Sequence, residues 1–112
     1  MRGIVFAGVA GLLCLHGAQA APAAAMAPVA QYMMDRNAEI ALAKSAAPPS
    51  ISGDASIMVL TPHGYDMAVK GSNGFVCLVE RAWLAEFTNP IFWNPAVRGP
   101  DCLNPAAARS VL

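Results

Sequence analysis

The chain is 112 residues long, 56% hydrophobic and 12% charged, with seven basic and seven acidic side chains and therefore no formal net charge. Nucleic acid and anionic membrane surfaces both require clustered Lys and Arg, so this balance argues against either as the main partner. The length allows one small domain and no more.

The chain opens with Met1 and Arg2, and from Gly3 to Leu15 carries no charged residue. Thirteen residues suit the apolar core of a secretory signal and fall short of the ~20 that span a bilayer as a helix. Ala18-Gln19-Ala20 then supplies the small-residue pattern that signal peptidase reads. Residues 1–20 are expected to be a signal peptide cut between Ala20 and Ala21; Ala23-Ala24-Ala25 is a second candidate site. The competing reading is an N-terminal anchor or a core helix. Lipoprotein processing at Cys14 is disfavoured because Leu13, not a small residue, precedes it.

Cleavage would leave 112 − 20 = 92 residues with six basic and seven acidic groups, a net −1. No second apolar run of ~18 residues follows, so no membrane association is expected after processing. Two cysteines remain, Cys77 and Cys102, in a compartment that permits disulfides. Their one intramolecular pairing closes a loop of about 25 residues and is worth roughly 3 kcal/mol in the chain-entropy model. Free thiols or an intermolecular pair are the alternatives.

Residues 21–28, rich in Ala and Pro, read as a flexible leader before a single domain over 29–112. From Val29 to Ala46 the apolar spacing is helical, with Val29, Met33, Ile40 and Ala43 near one face and Asp35, Glu39 and Lys44 mostly elsewhere. Pro28 suits the first turn, and Pro48-Pro49 ends the helix. Ile57–Leu60 reads as a buried strand, and Tyr65–Lys70 as a second after the turn Thr61-Pro62-His63-Gly64. Gly71-Ser72-Asn73-Gly74 predicts a tight hairpin into a third strand over Phe75–Arg81, completing an antiparallel meander. Prolines 90, 95, 100 and 105 then punctuate a surface loop, anchored by Ile91, Phe92 and Trp93 and tied back by Cys102. Asn104 and Pro105 mark the N-cap and first position of a short terminal helix. With only two turns before Leu112, either a short terminal helix docks onto the core or the chain is the front part of a longer protein, the second reading being slightly favoured.

Beyond His16, which leaves with the signal, His63 is the one imidazole, and it sits in a turn. A zinc site of ordinary ligand composition cannot be assembled from it, and no cofactor is expected. No nucleophile elbow, S-x-x-K or haem-attachment motif occurs. Glu80 with Glu86 or with Asp66 could be drawn as a glycosidase pair, but seven acids in 92 residues make such pairs inevitable by chance. The aromatic group Trp83, Phe87, Phe92 and Trp93 is more informative. It is either core or, with Arg81 and Arg98, a surface for a glycan, a peptide or a protein partner.

The stretches Ser45-Ala46-Ala47-Pro48-Pro49-Ser50-Ile51-Ser52, Gly71-Ser72-Asn73-Gly74-Phe75-Val76-Cys77 and Phe92-Trp93-Asn94-Pro95 resemble a group of exported bacterial proteins without assigned activity. That resemblance implies bacterial export and a chain running past Leu112, and carries over no site residue. The expected protein is thus an α+β domain: an N-terminal helix, a small antiparallel meander and a disulfide-tethered Pro-rich loop. Its expected role is that of a periplasmic or secreted, non-enzymatic binding or interaction protein. The alternative is a cell-envelope hydrolase whose catalytic residues lie partly beyond Leu112.

Overall fold

The computed structural model describes residues 25–112; the expected signal peptide and its Ala20–Ala21 junction lie outside them. The segment expected as one helix divides in two. Val29–Gln31 makes a single 3-10 turn begun by Pro28, and helix α1 spans Arg36–Lys44. The division is local chemistry. The Asp35 carboxylate accepts from the Ala38 N–H at 3.0 Å, capping a helix that therefore starts at residue 36. Part of the expected leader is tied down as well, since the Ala27 N–H donates to the Tyr32 hydroxyl at 3.0 Å. After α1, Pro49 starts the one-turn helix α2, Pro49–Ser52.

Four strands follow: β1 (Ser56–Thr61), β2 (Gly64–Val69), β3 (Val76–Arg81) and β4 (Arg98–Leu103). They form one mixed sheet in the order β2-β1-β3-β4. The β1–β2 hairpin turns on Pro62 and His63, with Gly64 at φ +116°, a conformation that favours glycine. The antiparallel meander is corrected here. β3 does not pair with β2; it crosses to the far side of β1 and runs parallel to it. Gly71–Gly74 is the crossing, not a hairpin. Ser72 and Asn73 donate to the Asp54 carbonyl, the Asn73 amide donates to the Ile51 carbonyl, and Ser56 donates to the Phe75 carbonyl. These bonds hold the start of β1 between β2 and β3.

Gly71 makes that crossing feasible. A Cβ there would overlap the backbone of Asp54, Ala55 and Ser56, so main chain rather than a flexible side chain would have to shift. Gly71→Ala is therefore expected to destabilise the fold by about 2–4 kcal/mol, a steric cost at the high end for single substitutions. Urea unfolding measures it, and a loss under ~0.5 kcal/mol would mean the crossing is looser than described.

The expected Pro-rich loop is corrected in its second half. Residues 98–103 form an edge strand antiparallel to β3, with Cys102 directly opposite Cys77 and Pro100 opposite Val79. An edge position tolerates Pro100, because its missing N–H has no partner to lose. The Cys77–Cys102 disulfide joins the two strands, with Cα atoms 4.0 Å apart. The first half of the loop is turned by Asn89 and Asn94, whose side-chain oxygens accept from the Ile91 and Ala96 N–H groups. Ile91, expected as an anchor, is exposed, whereas Phe92 and Trp93 are half-buried. Helix α3, Pro105–Val111, begins as the sequence indicates, with the Asn104 side chain accepting from the Ala107 N–H at 2.8 Å.

Helix α1 packs across β1, β3 and β4. Ala43, Ala55, Ile57, Cys77 and Val79 form the centre of the core, with Ile40, Leu42 and Phe75 packed around it. No helix among the described residues is long and apolar enough to cross a membrane. A formed disulfide is what an oxidising, non-cytoplasmic compartment sustains.

Candidate functional site

The parallel pairing of β1 and β3 covers only Ser56 with Val76 and Ile57 with Cys77. Beyond it, ladder groups are left to be satisfied by side chains. Glu39 reaches in from α1 and accepts from the Leu60 N–H at 3.1 Å. Arg81 donates to the Val79 carbonyl at 2.6 Å, and the Tyr65 hydroxyl donates to the same carbonyl at 2.7 Å. Arg81 and Glu39 meet at 2.8 Å, with side chains 0% and 1% exposed. Two further Arg81 donors, at 3.0 and 2.8 Å, converge on the Tyr32 carbonyl. The guanidinium carbon lies 5.9 Å from the centre of the Tyr65 ring. Only the Glu39 Oε1 atom of this cluster lacks a protein partner.

Two expectations change here. Arg81 is no surface residue: the period of β3 places it with Cys77 and Val79 on the covered face, and Glu39 neutralises it there. Glu39, expected away from the apolar stripe, is fully buried one turn before Ala43. Both signals were present in the sequence, at i+2 along the strand and i+4 along the helix.

The other three residues of the expected binding surface gather on the same segment. Trp83 stacks at 4.8 Å on the Tyr32 ring. Trp93 accepts the Tyr32 hydroxyl at its carbonyl, 2.8 Å away. Arg98, which is exposed, donates to the Met33 carbonyl at 3.1 Å. Tyr32, fully buried, is thus the hub that composition and spacing did not mark. Phe92 bridges Trp93 and Phe87 edge-to-face, at 4.6 and 5.1 Å. Phe87 itself is 74% exposed and Leu84 60%.

Between this hub and the β1–β2 hairpin lies a cleft of about 270 Å³ that opens to solvent. Met26 and Val29 form one wall and Trp83 another. Leu60, Thr61, Gly64 and Tyr65 complete it. Its hydroxyls are already engaged, Tyr65 on Val79 and Thr61 on the Gly64 carbonyl, the His63 N–H and Asp66, whereas the Trp83 indole N–H has no partner among the described residues. His63 is an exposed turn residue.

A second polar feature lies across β3 and β4. Glu80 faces Gly99 in the ladder, and Asp101 faces Leu78, so the two carboxyls are diagonal neighbours on the side of the sheet opposite Val79. This, rather than Glu86 or Asp66, is the acid that Glu80 meets. Partial burial and then the Asp101 carboxylate raise the Glu80 pKa to about 7. The fold thus favours the neutral Glu80 over the ionised one, since its folded pKa lies above the ordinary 4.5. The stability this provides is complete below the ordinary value and is lost as pH rises to about 7. Solvent screening at this half-exposed site holds the effect to on the order of 1 kcal/mol. Glu80→Gln is expected to flatten stability between pH 4.5 and 7, measured by urea unfolding across the range. An unchanged pH slope in the variant would assign the dependence elsewhere.

Fold and cleft together define a disulfide-tied α+β domain with an apolar pocket closed on one side by its own N-terminal segment. No family model matches the chain, and neither a curated protein nor a solved structure is similar to it.

Proposed function

We propose that this chain is an exported, non-enzymatic binding protein that holds its ligand in the cleft beside Trp83. The observation that carries the reading is the cleft's lining: apolar walls with no charged side chain, whose Tyr65 and Thr61 hydroxyls are hydrogen-bonded within the protein, leaving the Trp83 indole N–H as the one side-chain donor without a partner among the described residues. Such a lining provides contact and excludes water; it presents no free nucleophile or base. Export of bacterial type is supported by the apolar run over Gly3–Leu15, the Ala18-Gln19-Ala20 site and the disulfide.

Tryptophan emission tests the proposal. Glycans, short peptides and apolar small molecules are titrated into purified protein, alongside Trp93→Phe, which leaves Trp83 as the sole tryptophan. At least one class is expected to shift Trp83 emission saturably, and Trp83→Ala is expected to abolish that binding, measured by titration calorimetry, while keeping the circular dichroism of the fold. Emission that no class alters would refute the proposal.

A further inference from the structure

We infer that the cleft takes a straight aliphatic chain, with the ligand's polar head left outside in solvent; this deepens the binding reading above and rests on it. A sugar needs hydroxyl partners, and a charged group needs a counter-charge. The lining has no charged side chain, its Tyr65 and Thr61 hydroxyls are committed to Val79, Gly64 and Asp66, and the Trp83 indole N–H is the single side-chain donor left over. A ligand with several polar atoms placed there would lose more water than that one donor replaces. The two rings in the wall each already have a partner, Trp83 on Tyr32 and Tyr65 beside Arg81. That leaves Met26, Val29 and Leu60 as the aliphatic remainder of the wall, side chains that adapt to a chain rather than a plane.

The volume sets the length. At about 30 Å³ for each water-sized group, 270 Å³ holds on the order of nine carbons. The cleft opens to solvent, so a terminal polar group keeps its hydration while the tail is covered.

A homologous series of 1-alkanols, from butanol to dodecanol, tests length and class together through Trp83 emission in the Trp93→Phe protein. Affinity is expected to rise about fourfold per methylene, the transfer free energy of one CH₂, and to level off near nine carbons. Val29→Phe fills one wall and is expected to bring the plateau to a shorter chain with an unchanged melting temperature. A flat series, with a peptide, aromatic or glycan ligand shifting Trp83 instead, overturns the aliphatic assignment and leaves the binding reading standing. A rise that continues unbroken through dodecanol in both proteins also overturns it, as non-specific partitioning. Silence of Trp83 toward every class refutes both.

Discussion

Arg81→Met is expected to cost about 3–5 kcal/mol of folding stability, the penalty for stranding one partner of a buried ion pair. Against the total of roughly 5–15 kcal/mol typical of a domain, that brings the variant close to unfolding. Removing the guanidinium leaves Glu39 as an uncompensated carboxylate at 0% exposure, with Oε1 already unpartnered. It also frees the carbonyls of Tyr32 and Val79, which Arg81 alone or in part satisfies. Glu39→Gln should be milder, about 1–2 kcal/mol, because Arg81 keeps its carbonyl partners and the Leu60 N–H can still donate to an amide oxygen. The double variant should be more stable than Arg81→Met alone, since the stranded charge is gone. Urea unfolding of the three proteins decides it; an Arg81→Met loss below ~1 kcal/mol would place the pair among weakly coupled surface bridges.

Loss of the disulfide is the second large effect. Cys77 and Cys102 are 25 residues apart, and opening a loop of that size is worth about 3 kcal/mol. For a domain of this length that corresponds to a melting temperature lower by on the order of 15 °C. The Cys77→Ala/Cys102→Ala protein is expected to stay folded at low temperature, because six register pairs still join β3 to β4. Reducing the wild type should reproduce the drop, measured by circular dichroism with and without reductant. A variant that melts with the oxidised wild type would show the bond to be incidental to stability.

Three of the four strand positions were legible from the sequence, because the apolar run Ile57–Leu60 and the segments Tyr65–Lys70 and Phe75–Arg81, each bounded by turn residues, are local signals. Strand partners were not. Gly71-Ser72-Asn73-Gly74 has the composition of a hairpin, and only the bonds from Asp54 and Ile51, far back in the chain, divert it across β1. β4 was hidden by Pro100, which argues against a strand except at an edge, and edges are fixed by the whole sheet. The cleft was half legible. Trp83 was marked by its neighbours, but Met26 fell in the stretch read as a flexible leader and Val29 was read into a helix that starts only at Arg36. Glu39 and Arg81 were read as solvent-facing because charge usually is, although their spacing put each on a buried face.

Tyr32 has one more consequence, which concerns time rather than space. Its carbonyl waits for Arg81, 49 residues downstream, and its hydroxyl for Trp93, 61 downstream. The Tyr32 segment therefore cannot dock fully until the chain has been made through Trp93. Contacts of such long range form late and slowly. A polypeptide that emerges N-terminus first consequently keeps the Tyr32 segment incompletely docked until Trp93 has been made, and the cleft, whose Trp83 wall rests on Tyr32, is not fully formed before then.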